Sequence, residues 1–154
     1  QFPALSNVLK GIIASPLIRQ AGRKKLAVEI NSFSYRKGLP VDSSGNGGGF
    51  VFDCRALNNP GRIDQYKSLT GMDESVQLFL EQQPEVKPFL ENVFGIIDHS
   101  VTTYLGRNFE HLQINFGCTG GQHRSVYCAE KLAEHLKDHP NITITINHLE
   151  QKFK

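Results

Sequence analysis

Asn115-Phe-Gly-Cys-Thr-Gly-Gly-Gln-His-Arg-Ser-Val126 decides the reading of this chain, because the hydrophobic period changes in its middle. Before it, His111-Leu-Gln-Ile-Asn-Phe116 alternates polar and apolar side chains as a short strand does. After it, Val126, Ala129, Leu132, Ala133 and Leu136 recur at helical spacing. The glycines therefore fall at a strand-to-helix turn. Gly120 and Gly121 allow backbone angles closed to other residues and let successive N–H groups turn inward. The helix that follows aims its unpaired N–H groups and the positive end of its dipole at the same point. Arg124 adds a planar fork of donors suited to a phosphate or carboxylate. Cys118, Thr119, Gly120, Gly121, Gln122, His123, Arg124 and Ser125 are the candidate anion-binding set. The plainer alternative is a glycine turn capped by Thr119 or Ser125, with Arg124 on the surface.

Working outward, Leu26-Ala-Val-Glu-Ile-Asn-Ser-Phe33 and Gly49-Phe-Val-Phe-Asp53 read as strands, and Asn141-Ile-Thr-Ile-Thr-Ile146 alternates strictly as a fourth. Asp42-Ser-Ser-Gly-Asn-Gly-Gly-Gly49 cannot pack a core and reads as a flexible loop, and Asn58-Asn-Pro-Gly61 as a turn. Asp73 is a candidate N-cap for a helix through about Gln82. A long amphipathic helix from about Pro84 to Tyr104 carries Val86, Phe89, Leu90, Val93, Ile96, Ile97 and Val101. Leu5, Val8, Leu9, Ile12 and Ile13 form a helix-like pattern interrupted by Pro16. Residues 1–25 are thus expected to be a linker or helical extension, and 26–154 the domain. Strands separated by helices predict an α/β fold, a single domain with a small, mostly parallel sheet of about four strands flanked by helices. In such sheets ligands lie beyond the carboxyl ends of the strands, where the 117–125 loop falls.

The whole chain sets the bounds. Its 154 residues, 39% hydrophobic and 21% charged, suit one soluble globular domain. No apolar run is long enough to span a bilayer and no secretory signal is evident, so no membrane partner and a cytoplasmic location are expected. The chain starts at Gln1, which suggests a fragment of something larger. Cys54, Cys118 and Cys128 lack metal-ligand spacing and read as thiols; no metal and no cofactor are expected. Seventeen basic residues nearly balance fifteen acidic ones, for a net charge of +2. The basic residues cluster only at Arg19, Arg23, Lys24 and Lys25, and at Lys152 and Lys154, which argues for weak nucleic-acid binding at most.

Cys118 and Arg124, five residues apart and followed by Ser125, match the Cys-x5-Arg-Ser/Thr loop of cysteine-dependent phosphatases, in which a thiolate attacks phosphorus while the arginine holds the oxygens. Gly117 stands where that signature has histidine. A general acid is also needed, and Asp53 or Asp73 would have to be brought to the loop. Cys118 is otherwise a small buried residue at a strand end. His123, at the loop-helix junction, is a candidate for contact with an anion or with backbone. His135 and His139 lie one helical turn apart without a third ligand and read as exposed. Asp53 and Arg55 flank Cys54 and either share a pocket or pair with each other.

Gly117-Cys-Thr-Gly-Gly-Gln-His-Arg-Ser-Val126, Val51-Phe-Asp-Cys-Arg55, Asn58-Asn-Pro60 and Thr70-Gly-Met-Asp73 resemble the C-terminal domain of the RapZ family, formerly described as P-loop ATP-binding proteins. The likeness runs from about Leu26 to about Glu150. It implies an α/β domain whose loop binds phosphorylated amino-sugar metabolites, notably glucosamine-6-phosphate, and in some members small regulatory RNAs. Full-length members carry an N-terminal kinase-like domain with a Walker A loop, a pattern this chain lacks. Ser34 replaces a family glycine, Lys37 an aromatic or histidine, and Ser43–Gly48 looks like an insertion. Ile146-Asn147 stands where the family usually has His-Arg. The reading is a regulatory or sensing domain of amino-sugar metabolism that binds a small phosphorylated ligand, with Lys37, Asp53 and Arg55 as candidate pocket members. The alternatives are a cysteine-dependent phosphatase using Cys118, Arg124 and Asp53, and an RNA-binding adaptor.

Overall fold

The computed structural model describes residues 25–151. The helix-like pattern before Lys25, most of the first basic cluster and Lys152 and Lys154 lie outside the described residues. Four parallel strands, β1 (Leu26–Ser34), β2 (Phe50–Asp53), β3 (His111–Cys118) and β4 (Ile142–His148), form one sheet in the order β2-β3-β1-β4. Helices α1 (Glu74–Glu81) and α2 (Val86–Gly106) join β2 to β3, and α3 (Arg124–Leu136) joins β3 to β4. This is the expected α/β architecture, with all four strands parallel.

Period two decides which residues meet the helices. Leu26, Val28 and Ile30 on β1, and Leu112, Ile114 and Phe116 on β3, share one core with Val76 and Leu80 of α1, with α2, and with Ala129, Leu132 and Leu136 of α3. On α2 the buried stripe is Val86, Leu90, Val93, Ile97, Val101 and Leu105, every third or fourth residue. Each such burial contributes roughly 1.5–3 kcal/mol before the entropy of ordering is set against it. Pro88 stands in the first turn of α2, where a missing N–H breaks no intrahelical bond. Asn108, at φ 58°, ends the helix in the left-handed region, with Phe109 N–H returning to Tyr104 C=O.

The opposite face of the sheet is polar. Asn147 donates to Asn31, Asn31 to Asn115, and Asn115 to Gln113, a side-chain ladder across three strands. The 42–49 segment is coil, as expected, but it is organised. The Asp42 carboxylate accepts from the Ser44 hydroxyl and from the amides of Ser44, Asn46 and Gly48, and these bonds hold its pKa well below the usual carboxylate range. Gly49 lies so close to the Gln113 carbonyl that a Cβ would fall 2.0 Å from it.

One helix start differs from expectation. Asp73 occupies the N-cap position of α1, yet its carboxylate accepts from Thr70 N–H at 2.7 Å and caps no helical amide. The competition is local: Thr70-Gly-Met-Asp73 closes its own turn first. Among the described residues no helix is long and apolar enough to cross a membrane.

Candidate functional site

The loop after β3 leaves the carboxyl end of the central sheet and enters α3 directly. Its shape is held by its carbonyls. Cys118 C=O accepts from Tyr35 N–H, Thr119 C=O from the Ser34 hydroxyl at 2.6 Å, and Gln122 C=O from Gly71 N–H. Gly121 C=O accepts from the Gln151 side chain. The Gln122 side-chain amide donates in turn to Lys67 C=O and Leu69 C=O, at 2.8 and 2.7 Å. Gly121 has φ +68°, and a Cβ there would lie 2.9 Å from Ser34 N. Only glycine satisfies both the angle and the space.

The N–H groups are treated oppositely. From Thr119 through Val126 no backbone amide finds an acceptor among the described residues, although Gly121, His123, Arg124, Ser125 and Val126 are all buried. Buried amides of this kind require a partner. Three of them begin α3, whose cap residue His123 offers no side-chain acceptor, so neither Thr119 nor Ser125 caps the helix.

Arg124 is 5% exposed, and its Nη1 donates to Arg55 C=O at 2.8 Å and Leu57 C=O at 2.9 Å. It is therefore a brace as well as a cation. Its Nε and Nη2 have no acceptor among the described residues, and the side chain lines a cavity of about 190 Å³. Cys118, Thr119, Gly120, Gln122 and His123 line the same cavity, with Arg36, Asn59, Gly61 and Lys67. Three cationic side chains and no carboxylate face it. Ser125, fully buried, sits behind with its hydroxyl 3.1 Å from Cys118 Sγ. His123 Nε2 is 2.8 Å from Tyr66 C=O; a carbonyl only accepts, so Nε2 carries the proton and Nδ1 faces Gly61 on the cavity side.

The remaining candidates lie around this centre. Asp53 and Arg55 pair bidentately at 2.8–3.1 Å, and the guanidinium stacks 3.8 Å over Tyr35. The hydrogen bond from Arg55 holds the Asp53 carboxyl below its ordinary range. It is a carboxylate at neutral pH and has no proton to give to a leaving group. Lys37 stays exposed on the turn after β1, and its neighbour Arg36 lines the cavity instead. Cys54, Cys118 and Cys128 are all buried free thiols, and burial pushes Cys54 well up. His135 pairs with Asp98 at 2.8 Å and stacks on Phe94.

Arg36, Asn59, Gly61 and Lys67 went unread in the sequence. Asn59 and Gly61 belong to a turn that is evident in the sequence while its destination is not, and Lys67 sits in an irregular stretch without periodicity. A larger cavity, about 900 Å³, lies at the opposite end of the sheet against Phe50, Tyr104 and Phe109, without a run of open amides or an arginine.

A family model described as the RapZ C-terminal domain matches residues 26–152. A nucleotide-binding protein of Nitrosomonas europaea is 37% identical over 138 residues, covering 90% of this chain and 46% of its own length. Nucleotide-binding proteins of Halorhodospira halophila and Endomicrobium trichonymphae are 42% and 39% identical, over 84% and 85% of this chain and 43% and 44% of theirs. The chain spans a little under half the length of these curated relatives.

Proposed function

Because this chain belongs to the RapZ C-terminal domain family, we propose that it is a regulatory or sensing domain that binds a small phosphorylated metabolite, of the amino-sugar phosphate kind, between Cys118 and Ser125. The observation that carries this reading is the run of amides from Thr119 through Val126 with no acceptor among the described residues. Phosphate oxygens would satisfy several at once. They would also meet the open Nε and Nη2 of Arg124 and the positive end of α3. At about 190 Å³ the cavity is smaller than ordinary ligand clefts. It takes the phosphate group and leaves the rest of the ligand at its mouth, near Arg36 and Lys67.

The relatives' name also fits this chemistry, since a nucleotide presents the same oxyanions. The kinase-like domain of longer family members would occupy the part of the relatives' length that this chain does not span. Titrating the chain with inorganic phosphate, glucosamine-6-phosphate and ATP, while following amide NMR shifts, tests the reading. Saturable shifts at 119–126, tightest for the sugar phosphate, are expected. Shifts confined to other residues refute the site, and tightest binding by ATP moves the substrate class to nucleotides.

Cys118→Ser is expected to preserve that binding, because the thiol's partner is the Ser125 hydroxyl and the Asp53 carboxyl, held below its ordinary range by Arg55, has no proton to give to a leaving group. Aryl phosphate turnover by the wild type that disappears in Cys118→Ser would establish the phosphatase instead.

A further inference from the structure

β2 begins at Phe50 opposite Ile114, so the first residues of β3 have no strand on that side among the described residues. Bonding alternates along β3. Ala27 N–H donates to Glu110 C=O and Cys54 N–H to Gly117 C=O, so the even-numbered residues of β3 bond toward β1 and the odd-numbered ones toward β2. Ahead of β2, the N–H and C=O of His111 and the N–H of Gln113 therefore point outward, and none of the three finds a partner among the described residues. Gln113 C=O does not join them, because Gly49 closes on it. Gln113 is 2% exposed, so its N–H is a buried donor that needs an acceptor.

These groups open on the cavity of about 900 Å³ at the amino ends of the strands, a size within the range of small-molecule clefts. Its apolar wall is aromatic. β2 supplies Phe50, and the end of α2 supplies Tyr104 and Phe109, whose rings meet edge to face with centroids 4.9 Å apart. Phe109 follows the left-handed Asn108 and is 45% exposed. The loop that Asp42 organises brings Ser44 and Asn46 to the rim. An aromatic wall beside a backbone donor, acceptor and donor in a row suits a flat ring that carries an N–H next to a C=O. Only His111 and Gln113 face outward on this edge, and Gly49 closes one end of it, which favours a compact molecule over an added strand.

We propose that this cavity is a second binding site, for a planar heterocycle of the lactam or carboxamide kind. The ligand's N–H donates to His111 C=O, its C=O accepts from Gln113 N–H, and its ring packs against Phe50, Tyr104 and Phe109. The site lies at the opposite end of the sheet from the 118–126 loop and shares no lining residue with the cavity there. It holds no arginine or lysine, so it selects by a hydrogen-bonding edge and an apolar face rather than by charge.

2-Pyridone is the probe, and 1-methyl-2-pyridone is its control, the same ring with the donor removed. Amide NMR shifts of the 154-residue chain are expected to centre on His111 and Gln113. They should saturate with a dissociation constant of about 1–10 mM, as fits so small a ligand. The methylated ring leaves His111 C=O unpaired and presses a methyl against it, so binding at least about tenfold weaker is expected. Phe109→Ala, at an exposed position, is expected to keep the fold by circular dichroism and to weaken 2-pyridone at least about fivefold. The comparison of the two rings needs no variant. Equal affinity for both overturns the proposal, as do shifts centred elsewhere or no saturable shift up to about 50 mM. Unchanged affinity in a folded Phe109→Ala overturns it too.

Discussion

Arg124→Ala is expected to weaken phosphate binding by about one to two powers of ten and to destabilise the fold in the same protein. The binding loss is the charge-assisted contact of Nε and Nη2, roughly 1.5–3 kcal/mol. The stability loss has a separate cause. Nη1 satisfies the carbonyls of Arg55 and Leu57, and truncation strips both of their donor. Each unsatisfied carbonyl costs on the order of 1–3 kcal/mol, less where water reaches it, so a loss of roughly 2–4 kcal/mol is expected. Arg124→Lys separates the two effects, because it retains a charge and a donor but no fork. Urea unfolding and phosphate titration on both variants measure them. Unchanged phosphate affinity in Arg124→Ala would remove the arginine from the site.

Gly71→Ala is expected to be the more damaging glycine substitution near the cradle. A Cβ at Gly71 would lie 2.3 Å from His123 C=O and 2.5 Å from Tyr127 N, both backbone atoms of the start of α3. Neither moves unless the helix moves. Overpacking of this kind costs roughly 1–3 kcal/mol where side chains can yield, and the upper end or beyond is expected where only backbone can. The displaced helix should also lose phosphate affinity. Gly120→Ala is the control, since its Cβ would meet nothing within 4 Å and its φ lies outside the left-handed region. Urea midpoints for the two variants decide it. Equal destabilisation would mean that the 71–123 contact relaxes freely.

Much of this was legible because period is a backbone property. The alternation in Asn141–Ile146 and the stripe on α2 follow from which face is wet, that in His111–Phe116 from which face meets the helices, since its Gln113 and Asn115 are buried in the side-chain ladder, and each element appears within a residue or two of its expected bounds. The strand-to-helix turn was legible because the hydrophobic period changes on either side of Gly120-Gly121. The partners of the loop were not legible. Nothing local says that the Arg124 guanidinium reaches the carbonyls of residues 55 and 57, or that Gly71 packs under His123, because those contacts join segments more than fifty residues apart. Spacing does not tell neighbours apart either: Arg36 and Lys37 differ by one position, and the turn after Ser34 sends only the first toward the cavity. Asp53 and Arg55 show the converse limit, since a pair two residues apart can satisfy itself and leave the pocket alone.

The division of labour within the 118–126 loop has a selective consequence. The carbonyls of Cys118, Thr119, Gly121 and Gln122 are all engaged by protein donors, while the amides beside them are left open. A peptide unit is neutral, but sorted in this way those four units turn only one pole of their dipoles toward a visitor. A cation entering the cavity finds no free oxygen among those four units, and an anion finds hydrogens already in position. On the proposed reading the loop would discriminate by sign before it discriminates by shape, with no charge of its own except Arg124. A phosphate neutralised by a tightly held magnesium ion is accordingly expected to be a poorer guest than the same phosphate free.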